Sequence, residues 1–398
     1  MTTTRIALAI CHGFTIDLKE CQSTRGDPDA PADDAEDVFK RAMSAAAQVL
    51  EHRPGHFQTM YFESLLLGNH SDMALGARRA GTAIQSAEQQ LQLQEAMLRV
   101  DMKSENAWDS LSISQWYVSN AHWVAGHVRN SIEHIQRAFD IYNDRGASQY
   151  QSTNLWIFAP TMALRFAEAG NRAGATRALE LARKYQALAF EGKPANFHER
   201  LRASVHIDVA QNEIAQVFGE TIAASSAAEL VDRAQQLVKS LPAGATGEFE
   251  GHLLWTAWLA DAQASLQAGD YVHAEFAAAQ AHAFSPRSDY LGTRRPATAD
   301  IVHALALAHL GRNDEAQKLV APLVASHRKL LAEGADDQYV RVDLAAGLLV
   351  SALSRPAQRA TELKEAQALL ASLPPEMQSL KTVELWKARV RDAMRERI

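Results

Sequence analysis

The amino-acid sequence predicts an all-α protein, and three observations support this fold class. Segments with apolar residues at helical spacing follow one another through most of the 398 residues, and no segment alternates apolar and polar residues as a strand does. Glycine, with 20 residues, and proline, with 12, are too few for the many turns of an all-β chain. One pattern of small residues also recurs around single glycines, which indicates repeated helix pairs.

The N-terminal part, residues 1–54, is predicted to be a helical segment with an acidic loop before it. The loop, QSTRGDPDAPADD, covers residues 22–34 and lacks the spaced ligands and terminal glutamate of a calcium-binding loop. The stretch that follows, AEDVFKRAMSAAAQVLEH, has apolar residues at helical spacing and ends before Pro54. We therefore expect one helix here and no bound metal.

The clearest repeat unit is LQAGDYVHAEFAAAQAHAFSPR, which is centred on Gly269. Ala262 lies seven residues before this glycine, and Ala274 and Ala281 lie five and twelve residues after it. Two helices approach closely only where side chains are small, and a glycine ends a helix readily because it adopts the left-handed conformation. The unit is therefore predicted to be a tight helical hairpin.

The same spacing recurs around three other glycines. Leu323 is the one exception among the small positions of these copies. Gly170 and Gly269 are 99 residues apart, which predicts a further, degenerate pair near residues 195–240. The matching small residues are Ser119, Ser131 and Ala138 around Gly126; Ala163, Ala175 and Ala182 around Gly170; and Ala304 and Ala316 around Gly311.

The rest of the chain also reads as helices. TAIQSAEQQLQLQEAMLRVDMKSEN, residues 82–106, is predicted to be one long helix, and SSAAELVDRAQQLVKS a helix that stops at Pro242. The C-terminal residues are predicted to form one more pair and a final capping helix. We expect one continuous solenoid of about seven to eight hairpins, with repeats in residues 55–240 and 241–398.

This set of positions resembles the tetratricopeptide repeat (TPR), which has small residues at corresponding places and a glycine at the turn. The resemblance covers most of the chain from about residue 55 onward. It implies a superhelix in which the first helix of each pair lines a concave groove for an extended peptide or a partner helix; these are called first helices below. Carried over from the turn glycines, the groove residues are Trp116, Asn120 and Trp123; Pro160, Leu164 and Glu168; and Leu259, Gln263 and Leu266.

Trp116 and Trp123 are the first candidates for binding anchors, because aromatic side chains in a concave surface often carry binding energy. The alternative is that they pack against the neighbouring repeat, as buried aromatic residues ordinarily do. The groove shows no ladder of lysine and arginine residues, so the sequence does not support recognition of a C-terminal carboxylate.

Charge and hydropathy exclude some classes of partner. The formal net charge is −7, the sequence pI is about 6.1, and no block of basic residues appears, so we expect no nucleic acid partner. The apolar run Ile6 to Cys11 is too short for a signal peptide or a membrane span, and we expect a cytoplasmic protein with no membrane partner. Cys11 and Cys21 are expected to be reduced thiols.

No motif indicates chemistry. His122, His127 and His134 lie within thirteen residues, but no cysteine or carboxylate completes a zinc spacing, and nucleophile motifs are absent. We therefore expect no metal, cofactor or catalytic residue. The leading hypothesis is a non-catalytic scaffold that binds a protein or peptide; the alternatives are a ligand- or peptide-sensing regulator with a separate effector, and a helical enzyme with an unrecognised site.

Overall fold

A computed structural model describes residues 32–144, 152–194, 197–220, 224–241, 247–284 and 295–395. These residues form α-helices and one short 3-10 helix, Pro356–Gln358, and they contain no strand. The predicted all-α fold class is confirmed. The helices are α1 (Ala32–His52), α2 (Phe57–Gly76), α3 (Ala80–Val100), α4 (Glu105–Ala125), α5 (Val128–Asp144), α6 (Ser152–Glu168), α7 (Arg172–Ala189), α8 (His198–Val217), α9 (Ala224–Lys239), α10 (Glu248–Ala268), α11 (Tyr271–Ala283), α12 (Arg295–His309), α13 (Asn313–Ala332), α14 (Gln338–Ser354), α15 (Arg359–Ala371), α16 (Pro375–Gln378) and α17 (Lys381–Arg395).

The helices pack as consecutive antiparallel pairs. Helix α2 packs on α3, α4 on α5, and the order continues to α14 on α15, which gives seven pairs in the described part of the chain. Helix α1 precedes the first pair, and α16 and α17 follow the last. The predicted solenoid of about seven to eight antiparallel helix pairs is therefore confirmed.

The turn glycines have the predicted role. In the third of the four copies, Gly269 ends α10 in the left-handed region, the Asp270 N–H donates to the Ser265 carbonyl at 2.9 Å, and the Gly269 N–H donates to the Leu266 carbonyl at 3.3 Å. These two bonds satisfy carbonyls that a helix end otherwise leaves unpaired. The side chain of Asp270 then accepts from the His273 N–H at 3.1 Å and caps α11. The four φ values are +83° at Gly126, +78° at Gly170, +78° at Gly269 and +75° at Gly311.

The small residues of the four copies lie where the paired helices touch, and all eleven are fully buried. Leu323, the exception, is also buried, and it packs against Gly347 of α14. A Cβ atom at Gly347 would lie 3.0 Å from the Leu323 Cδ2 atom. The larger side chain on α13 is thus accommodated because Gly347 on α14 has no side chain.

The degenerate pair predicted near residues 195–240 is present as α8 and α9. Its turn also contains a left-handed glycine, Gly219, at φ +69°. The turn between α2 and α3 has Arg78 at φ +60° instead of a glycine. A long side chain in this conformation is unusual, so other contacts must hold the turn.

The single helix predicted over residues 82–106 is wrong. Helix α3 ends at Val100, and α4 begins after Ser104, whose side chain accepts from the Ala107 N–H at 3.3 Å. A serine in this position offers the free N–H groups of the next helix a partner, which favours a new start over continuation. Of the predicted acidic loop, residues 22–31 lie outside the described residues, and residues 32–34 belong to α1.

The C-terminal helices return to the N-terminal pairs. Helix α14 packs on α4, α16 on α5, and α17 on α6. Glu376 of α16 accepts from the backbone N–H of Arg129 at 2.9 Å, in the first turn of α5. The superhelix therefore turns back on itself and encloses a central space lined by first helices.

The division at residue 240 stays a prediction. Helix α8 packs on both α9 and α10, so side chains from the two sides of residue 240 meet. One apolar cluster extends from Val205 of α8 to Val302 of α12. Contacts of this kind are expected between neighbouring units of a repeat stack.

Candidate binding cavity

A cavity of about 620 Å³ lies inside the superhelix. Its wall is formed by first helices of six consecutive pairs, α4, α6, α8, α10, α12 and α14, and by the final helix α17. First helices face inward because their small residues pack outward onto their partners. This is the inner surface that the repeat pattern implied, closed on one side by α17.

Eight of the nine predicted groove residues belong to the cavity wall. Pro160 does not, because it is buried within helix α6. Whether these residues bind a partner stays a prediction. The eight are Trp116, Asn120, Trp123, Leu164, Glu168, Leu259, Gln263 and Leu266.

Trp116 and Trp123 are half-buried, and each has both a packed and a cavity-facing part. The Trp116 ring stacks on Phe158 with the ring centroids 5.8 Å apart, and its buried Nε1 has no acceptor among the described residues. The Trp123 and Tyr339 ring centroids are 6.4 Å apart. The two interpretations of these tryptophans, packing and contact with a ligand, are therefore compatible.

Arg165 of α6 is a buried cation in the same wall, with 5 % of its surface exposed. Its guanidinium donates to the Ser119 hydroxyl and to the Asn120 side-chain oxygen, both on α4, and lies 5.4 Å from the centroid of the Trp123 ring. Burial lowers the pKa of Arg165 to about 9, so the group is still charged at neutral pH.

Helix α17 supplies a second guanidinium. Arg389 lies 4.8 Å from the centroid of the Trp386 ring, and burial lowers the pKa of Arg389. Helix α17 is held against α6 by Glu168, whose carboxylate accepts from the Thr382 N–H at 3.0 Å and from its hydroxyl. This is a structural role for Glu168 that the groove assignment did not include.

Sequence reasoning missed Arg165 and the α17 residues. Arg165 lies three residues before Glu168 on a predicted first helix, so the repeat spacing was sufficient to test it as a groove residue. No comparable signal exists for Trp386 and Arg389, because α17 belongs to no repeat copy. Its position follows only from the curvature of the whole superhelix.

Helix α10 contributes a second indole donor to the wall. Trp255 has 1 % of its surface exposed, its ring stacks on His252 with the ring centroids 6.0 Å apart, and its Nε1 has no acceptor among the described residues. The acidic residues Glu213 and Asp343 also line the cavity, and both interact with neighbouring groups. The wall is thus mostly aromatic and apolar, with a few fixed polar groups.

The three clustered histidines lie outside the cavity wall. His122 Nδ1 is 3.1 Å from His127 Nδ1, and the His122 ring stacks on the His134 ring with centroids 5.7 Å apart. Burial lowers the pKa values of His122 and His134, the latter to about 4. His134 Nδ1 is also 2.6 Å from the Gln115 side-chain oxygen. The stacked rings of His122 and His134 thus join α4 to α5.

Ser240, His198 and Glu250 come together outside the cavity, in an order that resembles a nucleophile, a base and an acid. Ser240 Oγ is 3.0 Å from His198 Nδ1, and His198 Nε2 is 3.1 Å from the Glu250 carboxylate. However, the Ser240 hydroxyl donates to the Leu237 carbonyl at 2.8 Å, so its proton is directed to the end of α9 rather than to the imidazole. A serine activated by a base needs the opposite arrangement.

Cys11 and Cys21 lie outside the described residues. In the described ranges, no group of three or more His, Cys, Asp or Glu side chains is placed to hold a metal ion. Among the described helices, none is both long and apolar enough to cross a membrane.

No family model matches the chain, and no curated protein sequence matches it significantly. Among solved structures, it is similar to the crystal structure of the P58(IPK) TPR domain, with 90 % of this chain and 99 % of that chain covered, 10 % sequence identity and a TM-score of 0.22.

Proposed function

We propose that this chain is a non-catalytic binding protein that holds a short peptide segment of a partner in the central cavity. The observation that carries the proposal is the convergence of eight predicted groove residues, from three separate repeat copies, on one cavity of about 620 Å³. Residues that are far apart in the sequence meet there because the first helices of successive pairs stack side by side.

The size and composition of the cavity suit a short segment rather than a long helix. Sites for small molecules have volumes of about 300–1,000 Å³ and are mostly apolar with a few polar groups that fix orientation. The wall offers indole surfaces at Trp116 and Trp123, together with amide groups at Asn120 and Gln263 that can pair with a peptide backbone. Because rigid helices present these groups, little ordering entropy is lost on binding.

A second candidate, a ligand-sensing regulator with a separate effector, is favoured by one observation. Part of the wall, α17, is joined to α6 by hydrogen bonds between Thr382 and Glu168. A ligand in the cavity touches both helices and thus stabilises their contact. If the chain is a sensor, ligand binding changes the curvature of the superhelix, which small-angle scattering measures.

Site-specific photo-crosslinking tests the first candidate. A benzoylphenylalanine is placed at Gln263, in the cavity wall, and in a matched variant at Glu180, on the exposed side of α7. We expect the cavity variant to crosslink to a defined partner segment that the outer variant does not reach. Identical adducts from both positions would contradict a cavity site.

A pair of substitutions supplies the second arm. Trp116→Ala with Trp123→Ala removes two aromatic surfaces of the wall, whereas Trp108→Ala alters the same helix outside it, where the indole N–H donates to the Met102 carbonyl at 3.1 Å. The crosslink from Gln263 should be lost only in the double variant. Thermal unfolding of each variant shows whether a lost crosslink results from misfolding.

A further inference from the structure

We infer that Arg165 is an anion subsite, and that the occupant of the cavity has a carboxylate next to a flat apolar group. The inference rests on the proposed function, since it concerns the ligand of the same cavity. It adds the chemical class of that ligand, which the predicted groove residues do not specify.

Arg165 carries a buried charge without a counter-charge among the described residues. No carboxylate of the described residues lies within ion-pair distance of Arg165, whose partners are the neutral Ser119 and Asn120 side chains. A buried cation without a counter-charge is costly, and proteins ordinarily pair it. The lowered pKa of Arg165 reflects this burial, and the attraction of a carboxylate bound beside the guanidinium would offset the cost of the buried charge.

The Arg165 guanidinium is held in one geometry. Two of its nitrogens donate to α4, and its Cζ atom lies 5.4 Å from the centroid of the Trp123 ring, so these contacts restrain the side chain. A planar, fixed guanidinium matches a carboxylate better than a mobile ammonium does. The site is therefore organised before any ligand binds.

The cavity wall also contains other charged side chains. Glu168 accepts two hydrogen bonds from Thr382, Glu213 and Asp343 interact with their own neighbours, and Lys381 is 2.8 Å from Glu384. Arg389, like Arg165, has no ion pair within the described residues. Two of the three Arg and Lys side chains in the wall, Arg165 and Arg389, therefore have no ion pair among the described residues.

The apolar part of the ligand follows from the surroundings of Arg165. The rings of Trp123, Tyr339 and Trp386 line the same cavity, and flat groups pack well between such rings. A ligand with a flat apolar group beside its carboxylate therefore suits this part of the wall.

Two sources share this chemistry, and matched pairs of probes separate them. The first source is an aspartate or glutamate side chain within a peptide, represented by acetyl-Leu-Glu-Phe-amide and its glutamine analogue. The second is a free aromatic acid, represented by indole-3-acetate and indole-3-acetamide. Within each pair the members differ in charge but hardly in shape. Titration calorimetry with the full chain gives the affinity of each probe.

We expect the acid member of one pair to bind about tenfold or more tightly than its neutral analogue, as an ionic hydrogen bond in a desolvated site requires. The pair that shows the preference identifies the source. Equal affinities within both pairs, or no binding by any of the four probes, would overturn the inference. If a partner crosslinks at Gln263 and either of those results is also obtained, the proposed function is supported and the inference about an anion subsite is wrong.

Variants assign the preference to Arg165. Arg165→Met keeps the length of the side chain and should bring the ratio of affinities close to one, whereas Arg165→Lys should keep part of it. Arg233→Met is the matched control, because Arg233 pairs with Asp208 on the outside of the cavity. If Arg165→Met does not fold, the ratio of affinities in the wild-type protein and its change in Arg165→Lys still test the assignment. A preference unchanged in the Lys and Met variants would contradict the assignment.

Discussion

Arg78 and Asp337 form an ion pair across 259 residues of sequence, with Arg78 Nη1 3.2 Å from Asp337 Oδ2. The pair joins the turn between α2 and α3 to the start of α14, and the carboxylate side chain is only 3 % exposed. The Arg78 carbonyl also accepts from the Asp336 N–H at 3.2 Å. The left-handed conformation of Arg78 is therefore stabilised by contacts with the other end of the superhelix.

Asp337→Ala tests how much this contact contributes to stability. The substitution removes the ion pair and also the cap of α14, where the Asp337 carboxylate accepts from the Tyr339 N–H at 2.8 Å. We expect the free energy of unfolding to fall by about 2–4 kcal/mol, measured by urea denaturation. Asp392→Ala, at a carboxylate that is 63 % exposed, should change it by less than about 0.5 kcal/mol. Equal losses in the two variants would contradict a structural role for the pair.

Two turn glycines offer a matched comparison. Gly126 and Gly269 both have left-handed backbones, so alanine at either position costs about 1–2 kcal/mol. A Cβ at Gly269 meets nothing within 4 Å, whereas at Gly126 it would lie 2.7 Å from the Met377 Sδ atom and 3.0 Å from a Pro374 carbon. Gly126→Ala should therefore lower the free energy of unfolding by about 1–3 kcal/mol more than Gly269→Ala does. Similar unfolding midpoints for both variants would mean that α16 does not pack tightly on this turn.

The local pattern of the sequence explains why hairpins were predictable and the returning helix was not. A turn glycine such as Gly269 fixes the end of a helix, and counting back in steps of 3.6 residues selects the inward side that contains Gln263. The contact between Glu168 and Thr382, 214 residues apart, depends instead on small rotations added over several pairs. No short stretch of sequence encodes that sum. Arg165 lies on the first helix of a repeat copy, so the same count from the turn glycine could have identified it.

The contact between Leu323 and Gly347 predicts coupled substitutions. Gly347→Ala would place a Cβ 3.0 Å from the Leu323 Cδ2 atom and 3.1 Å from a Val324 methyl carbon. The strain of overpacking, about 1–3 kcal/mol, should exceed the roughly 1 kcal/mol that alanine adds to helix stability. Leu323→Ala restores the small residue of the other copies but leaves a cavity. The double variant should therefore be more stable than the sum of the single effects, and a double-mutant cycle without coupling would exclude direct packing.

The histidine cluster predicts that stability depends on pH between the ordinary histidine pKa of about 6.5 and the lowered value of about 4 at His134. In this window the unfolded chain binds more protons than the folded chain, so stability is fully present above pH 6.5 and falls as the pH decreases. Burial is the main cause, and the neighbouring charges of His122 and Arg137 act in the same direction.

Urea denaturation at pH 7.5 and pH 5 measures this dependence. Because the site is partly open to solvent, we expect His134 to account for about 1 kcal/mol of the loss at pH 5. His134→Gln keeps a side chain that can pair with Gln115 but cannot be charged, so its loss between the two pH values should be smaller by that amount. His303 and His327, whose pKa values are also lowered, still titrate in both proteins and cancel in the comparison. The same loss in both proteins would show that proton binding at His134 is not coupled to folding.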